Sequence, residues 1–599
     1  MRKKTGIHTR ITALVLAFAM LTAALVSCRE EPEQKVYDDN YRHFYEIYVR
    51  SFSDSDGDGI GDLRGVLSKI DYLKAPDGED DSHSLGVDAV WLMPIFTSPS
   101  QHKYDVTDYC EIDPSYGKMA DFEELVAAFH ERGIHIILDL AFNHTSSRHK
   151  WFKRAVNALN RGDTDDRYVK YYNFTKKPEK FNDEGYPIGY TAVPGNHDGY
   201  YYESRFVSDM PDLNFDNPDV WDELKAIMKF WLDKDVDGFR MDACKEYYTG
   251  SMKKSIEALG KMVDYGKSVK SDCYFIAEVW ESAWIIEQYY ASGVDSVFNF
   301  DCSYVGPYSG IYNNITTGAA NMIGTRAEAH NDAIRNKNLN AIDAPFLSNH
   351  DTTRSGTYLW ESPQRKMAAS IYMTLPGNPF IYYGEEIGMT GGWANDPEKR
   401  LPMKWSPDES DYKIKPPSGA GTVKAPQYGA LTQFDHPTSL VNHYRKLIKL
   451  KTMNPEIQRA QVVSESDLKN YNVAAYTCTY DNSSVMVIHN VTRTPKTLKI
   501  AECGYGDYSE ISGFVIGDEY VEEEAFKAYM GNYEYNVPDM KPSASPVFYV
   551  NGVLTMPART TVVLRNPGKV NATFVPTTTT TQPDVSPTDL VTSSDTSSQ

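Results

Sequence analysis

Cysteine is scarce in this chain, with seven among 599 residues, no Cys-x-x-Cys pair and no spacing that suits a metal. Cys110, Cys244, Cys273, Cys302, Cys478 and Cys503 occur singly, several of them in apolar, strand-like runs. Cysteine in such runs acts as a small buried hydrophobe, so no disulfide framework is expected. Positive charge is also short: 61 Lys and Arg face 82 Asp and Glu, a net charge of −21. That balance disfavours nucleic acid and anionic membrane surfaces as partners. Beyond residue 28 no apolar run is long enough to span a bilayer. Aromatics, by contrast, make up 13% of the chain and include 42 tyrosines. Their faces suit sugar rings, although ordinary core and surface packing accounts for most of them. With 41% hydrophobic residues the chain can build packed cores, and its length suggests a large catalytic domain plus an accessory one.

The first 28 residues read as a targeting segment. Arg2, Lys3, Lys4 and Arg10 form a basic start, a mostly apolar stretch runs from Ile11 to Val26, and Leu25-Val26-Ser27-Cys28 closes it. This resembles a bacterial lipoprotein signal peptide, with Cys28 as the lipidated first residue of the mature chain. The alternative is an ordinary signal peptide with a stray cysteine. On the lipoprotein reading, residues 29–40 are a linker, and the protein is exported and held outside the cytoplasm on the bacterial cell membrane by its lipid.

From Phe44 onward, short apolar runs alternate with amphipathic stretches. Strands are expected at Phe44–Phe52, Asp88–Met93, Ile134–Phe142, Gly238–Asp242, Tyr274–Val279, Ser296–Phe300, Pro345–Ser348 and Pro379–Tyr383. Helices are expected at Asp121–Arg132, Asp219–Lys234, Trp284–Ala291 and Gln364–Leu375, where apolar residues recur at three-to-four spacing. Eight strands alternating with helices point to a parallel sheet with crossover helices and fit an α/β fold of the (β/α)8 TIM-barrel type; a doubly wound open sheet is the alternative. Residues 145–216 are too many for an ordinary loop and suggest an inserted subdomain. After a helix at Ser439–Leu450, Val473–Tyr480, Ser484–Asn490, Lys496–Ile500 and Thr560–Leu564 read as a separate β-domain. The expected boundaries are 41–457 for the barrel with its insertion, 458–566 for the β-domain and 567–599 for a Thr/Ser/Pro-rich tail without a core.

Barrel enzymes carry their reacting groups at the C-terminal ends of strands. Here those ends hold Asp139-Leu-Ala-Phe-Asn143-His144, Gly238-Phe-Arg240-Met-Asp242, Ile276-Ala-Glu278-Val-Trp280 and Asn349-His350-Asp351. One acidic residue ending a strand is commonly just a turn former, but four such segments in order are a strong signal. These segments resemble the conserved regions of the α-amylase family of glycoside hydrolases. So do Gly86-Val-Asp-Ala-Val-Trp-Leu-Met-Pro94, Met210-Pro-Asp-Leu-Asn214 and Gly377-Asn-Pro-Phe-Ile-Tyr-Tyr-Gly-Glu-Glu386. The resemblance runs from about Tyr41 to Asn566. It implies a (β/α)8 barrel, a domain B inserted after the third strand and an antiparallel β-sandwich domain C.

Residue by residue, the resemblance implies Asp242 as nucleophile, Glu278 as general acid/base and Asp351 as transition-state stabiliser. Retaining glycosidases need such a pair of carboxyls about 5–5.5 Å apart. Arg240, two residues before Asp242 on the same strand face, can keep that carboxylate ionised. Tyr104, His144 and His350 resemble sugar-binding residues, Tyr104 as a stacking platform. Trp280 lies two residues past Glu278 on the same strand face and could pack against the leaving-side glucose, or merely fill the rim. The loop Asp54-Ser-Asp56-Gly-Asp58-Gly-Ile60-Gly-Asp62 alternates carboxylates with glycines, as an oxygen-loving cation requires. Its twelfth position is Gly65 instead of the EF-hand glutamate, and the resemblance favours a Ca2+ site here over a plain acidic turn. A second Ca2+ site using Asn143 and Asp212 is implied by the resemblance too.

Two departures bear on substrate. Many family members have histidine four residues after the nucleophile, where this chain has Glu246, and Met210–Asn214 resembles a group intermediate between oligo-1,6-glucosidases and neopullulanases. Ala243 after the nucleophile resembles members cutting α-1,4 bonds, whereas Asp105 resembles the chain-end acid of exo-acting α-1,6 enzymes. The expected activity is α-amylase-like cleavage of α-1,4 bonds in an α-glucan partner: starch, maltodextrin or maltooligosaccharides. Oligo-1,6-glucosidase/neopullulanase-like action and transglycosylation are the enzymatic alternatives. A non-catalytic glucan-binding lipoprotein would typically lack the three carboxylates, and a two-lobed sugar-uptake lipoprotein conflicts with eight strands. No protein partner is inferable.

Overall fold

The computed structural model describes residues 43–178, 189–195, 198–303, 310–392, 395–406, 414–423, 426, 428–465, 468, 470–480, 482–517 and 547–569. Cys28 and the expected targeting segment, linker and most of the tail lie outside them.

Eight strands form the centre: β1 (Phe44–Ile47), β2 (Ala89–Leu92), β3 (His135–Leu140), β4 (Gly238–Met241), β5 (Tyr274–Ala277), β6 (Ser296–Asn299), β7 (Ala344–Pro345) and β8 (Phe380–Tyr382). They hydrogen-bond in the order β7-β6-β5-β4-β3-β2-β1-β8, and every pair is parallel. A parallel bridge between Phe346 and Phe380 joins the two outer strands. That bridge decides for the barrel and against the open doubly wound sheet. Apart from His135 at the start of β3, every residue in these strands is buried, as expected for strands covered by side chains inside and helices outside.

The crossover helices include α1 (Met119–Glu131), α2 (Pro218–Leu232), α3 (Met252–Val269), α4 (Ala283–Tyr289), α5 (Met322–Lys337) and α6 (Ser362–Thr374). Local chemistry sets their starts. At α2, Pro218 occupies the first turn, where its missing N–H costs nothing, and the Asn217 side chain accepts the Asp219 N–H. The first expected strand was too long by a helical turn. Val49–Phe52 turns helical, because the chain must leave the barrel end there and build the following acidic loop; apolar content alone does not mark that exit.

Between β3 and α2 lie a helix at Lys150–Asn160 and a three-stranded sheet of Phe174–Thr175, Tyr201–Glu203 and Tyr190–Ala192. Towards the C-terminus, a five-stranded antiparallel sheet (Gln461–Ser464, Val473–Tyr480, Ser483–Asn490, Thr560–Arg565, Glu510–Ile516) and a three-stranded one (Lys496–Leu498, Val553–Met556, Phe548–Val550) share a core. Met486, Ile488, Leu498, Leu554, Met556 and Val562 form it. The six cysteines from Cys110 to Cys503 are free thiols.

Candidate active site

Three backbone hydrogen bonds set the register that gathers the carboxylates. The Asp242 N–H donates to Leu140 on β3, the Glu278 N–H to Met241 on β4, and the Cys244 N–H to the Glu278 carbonyl. Asp139, Asp242 and Glu278 therefore emerge side by side at the C-terminal ends of three neighbouring strands.

Arg240 organises them. Its Nη1 donates to Asp139 Oδ1 at 2.8 Å and to Asp242 Oδ1 at 2.5 Å, and its Nη2 lies 3.9 Å from Glu278 Oε2. The guanidinium sits over the Trp91 ring, 5.2 Å from the centroid, and is 1% exposed. One cation thus serves three buried carboxyls, which is why the cluster can persist away from water. Burial still dominates at Asp139 and Glu278. It pushes each up to about 7, with Asp242 adding to the rise and Arg240 opposing it.

The peptide after Asp242 is aimed as well. Ala243 takes the left-handed conformation (φ 48°, ψ 39°), which costs an alanine about 1 kcal/mol. The strained turn points its N–H at Glu278 Oε2, 2.8 Å away. Glu278 is thereby fixed against the peptide that follows Asp242.

Opposite, His350 lies between carboxylates. Its Nδ1 is 2.6 Å from Glu46 Oε1 and its Nε2 2.9 Å from Asp351 Oδ2. Burial lowers the imidazole's affinity for a proton, but Asp351 and Glu46 outweigh it and raise the group to about 9. His350 is therefore a cation at neutral pH. Arg400 completes the grip on Asp351 at 2.9 Å. Burial pushes the Asp351 carboxyl up, yet His350 and Arg400 together hold it well below the usual carboxylate range. Tyr104 donates to Asp139 Oδ2 at 2.9 Å, lies 2.7 Å from His350 Nε2 and stacks on that ring at 18°. His144 is buried with neither ring nitrogen hydrogen-bonded among the described residues, and burial lowers its proton affinity. The half-exposed Phe206 ring meets it edge-on, 5.4 Å away.

The structure thus brings Asp242, Glu278, Asp351, Arg240, His350 and Tyr104 into one connected cluster. Two expected sugar contacts are placed differently. Trp280 lies face to face with Phe300, centroids 5.2 Å apart, so part of its surface is already used within the rim. Asp105 is buried, its Oδ1 taken by the hydroxyls of Ser98, at 2.7 Å, and Ser100. Reading the sequence missed Glu46, Trp91, Phe206 and Arg400. Glu46 carried a signal, a carboxylate inside an otherwise apolar buried strand; Arg400 carried none.

In the acidic loop, Asp54, Asp56 and Asp58 converge, with one oxygen of each within 4.8 Å of the others. Asp62 is apart from them. It accepts from the Ser55 hydroxyl and N–H and caps the helix at Leu63–Leu67 through the Gly65 N–H. At the other expected cation set, Asn143 donates to Asp212 Oδ1 and the Arg205 N–H to Oδ2, while Arg205 Nε pairs with Glu246 at 2.9 Å. Each Asp212 oxygen holds a protein donor, and the Arg205 guanidinium lies on Glu246, not on the buried Asp212 carboxylate.

Comparison with known proteins agrees with this geometry. Residues 46–460 match the family model "Alpha amylase, catalytic domain". Alpha-amylase 3 of Dictyoglomus thermophilum is 41% identical over 462 residues, covering 76% of this chain and 85% of that protein. The 4-alpha-glucanotransferase of Thermotoga maritima is 32% identical, covering 75% and 95%. Among solved structures, Eubacterium rectale Amy13B superposes with a TM-score of 0.76 at 36% identity, covering 88% of this chain and 96% of that one.

Proposed function

The chain belongs to the α-amylase family of glycoside hydrolases, and from that premise we propose a retaining enzyme that cleaves α-1,4 bonds in starch, maltodextrin and maltooligosaccharides. The observation that carries the reading is the single guanidinium of Arg240, which touches Asp242 and approaches Glu278. It places beside one cation the pair of carboxyls that a double displacement requires. Asp242, charged beside Arg240, attacks the anomeric carbon. Glu278, protonated below about pH 7, gives its proton to the leaving oxygen, then takes one from the incoming water. Asp351, kept anionic by His350 and Arg400, accepts sugar hydroxyls. Tyr104 and His144 line the same sugar.

α-1,4 cleavage is favoured over α-1,6 by Ala243 after the nucleophile and by the burial of Asp105, whose Oδ1 accepts from Ser98 and Ser100. The test is substrate choice by the purified enzyme. Maltotetraose should be cut faster than isomaltose, and the reverse order would overturn the assignment. Transglycosylation is a second reading supported by the 4-alpha-glucanotransferase relative; product analysis at high maltooligosaccharide concentration separates the two.

Calcium is proposed at the loop of Asp54, Asp56 and Asp58, whose carboxylates suit a hard cation. The ion would supply stability rather than chemistry, since none of the three belongs to the Arg240 cluster. Added calcium should raise the melting temperature of chelator-treated protein, and Asp56→Ala with Asp58→Ala should remove that rise. Identical melts with and without calcium would leave only an acidic turn.

Export and anchoring through Cys28 are proposed from the basic and apolar pattern before it. Cys28→Ala should shift the protein out of the detergent phase in a Triton X-114 partition, and unchanged partitioning would refute the anchor.

A further inference from the structure

Tyr104, whose hydroxyl reaches Asp139 and His350, sits on a loop between the paired segments Phe96–Thr97 and Asp108–Ile112. Both of its neighbours in the chain are buried and tied within that loop. Asp105 accepts from Ser98 and Ser100. On the other side Lys103 is only 8% exposed, although lysine ordinarily keeps its ammonium in water. Its Nζ lies 2.6 Å from Asp113 Oδ2 and donates to the Ser98 carbonyl at 3.2 Å. The Tyr116 ring centroid stands 5.5 Å from the ammonium. Asp113 also accepts from the Ser98 N–H and from the N–H and hydroxyl of Ser115, while its own N–H donates to the Ile95 carbonyl. The ion pair therefore ties the residue before Tyr104 to the base of the hairpin that carries the loop.

The backbone at Lys103 makes the arrangement more specific. Its φ is 68°, in the left-handed region that glycine adopts freely and a residue with a Cβ enters only at a cost. A glycine would sit there without strain, so the lysine side chain must supply something that glycine lacks. The turn it holds is local to the site. The Lys103 N–H donates to Ser100 Oγ at 3.2 Å and the Tyr104 N–H to His102 Nδ1 at 3.1 Å, which sets the direction in which the Tyr104 ring leaves the loop. That ring arrives beside Asp139 and His350, with the Arg240 guanidinium 5.7 Å from its centroid. We propose that Lys103 is a positioning residue: through its buried ion pair with Asp113 it holds the strained turn that aims Tyr104 at Asp139 and His350. This rests on the glycosidase reading above, in which Tyr104 lines the sugar.

The test is a double-mutant cycle with Tyr104, read on the full chain cutting maltotetraose. Lys103→Gly should lower kcat roughly ten- to a hundredfold, the scale expected when a site group shifts by about 1 Å. KM should change much less, because Tyr104 touches the groups around the reacting carboxylates. In a Tyr104→Ala background the same change should cost about twofold or less, since no ring is left to aim. Lys103→Gly leaves Asp113 buried without its cation, so a second variant, Lys103→Met with Asp113→Asn, removes both charges together and should show the same dependence on Tyr104. Unchanged kcat in both variants, even with a lower melting temperature, would reduce the pair to loop packing and overturn the proposal. So would an equal loss with and without the Tyr104 ring. A parent enzyme that leaves maltotetraose uncut would sink the hydrolase reading instead. The crystal structure of the Lys103→Gly chain would then decide: Tyr104 displaced from Asp139 and His350 supports the role of Lys103, and Tyr104 in place refutes it.

Discussion

Replacing Asp242 with asparagine should reduce glucan hydrolysis on the order of 10⁴-fold or more, the scale seen when an enzyme loses its nucleophile. The fold should survive, because asparagine keeps the shape and can still accept from Arg240. Glu278→Gln removes the proton donor and should cost roughly 10²–10⁴-fold. The two variants should differ in pH behaviour. In the unsubstituted enzyme, kcat/KM should fall as pH rises through about 7, where the raised Glu278 carboxyl loses the proton it must donate. Asp242→Asn should keep an alkaline limb in its residual activity, moved to lower pH because the Asp242 charge no longer raises Glu278, and Glu278→Gln should lose it. The first product released should carry the α configuration, read by NMR. A β anomer, or near-normal turnover by either variant, would contradict attack by Asp242.

Arg240→Met should be the most destabilising single change in the site. The guanidinium is 1% exposed and neutralises Asp139 and Asp242 directly. Methionine fills the volume but leaves buried carboxyls without a counter-charge, a loss of about 3–5 kcal/mol. Part of it is relieved when Asp139, already raised to about 7, takes up a proton. Melting temperature should therefore drop more at pH 8 than at pH 6. Arg240→Lys restores the charge without the forked geometry and should fall between the two. A Met variant as stable as the parent at pH 8 would mean the cluster is already neutral without the arginine. Hydrolysis should be nearly lost in the Met variant at either pH, since Asp242 would lose the hydrogen bond that orients it.

How far the sequence reaches differs between fold and site. The alternation of strands and helices was legible because each strand is an apolar run and each helix repeats at its own period, both local patterns. Gly238–Met241 and Tyr274–Ala277 were recognisable with their ends carrying Asp242 and Glu278. The exit at Val49–Phe52 was not, because an apolar helix turn and an apolar strand end look alike over four residues. Motifs also marked Asp242 and Glu278 as a set, since each directly follows its own strand.

What only the tertiary structure decided concerns contacts between residues far apart in the chain. Barrel closure depends on Phe346 meeting Phe380, and no periodicity distinguishes a closed ring from an open sheet. The protonation pattern is decided the same way. Glu46, His350, Asp351 and Arg400 come from β1, the loop after β7 and the loop after β8, and their charges are set by desolvation and by one another. The sequence by itself determined which strands lead to Asp242, Glu278 and Asp351, but not that Glu46 and Arg400 join them. Which carboxyl keeps its proton depends on packing, because burial and Coulomb interactions act through space and not along the chain.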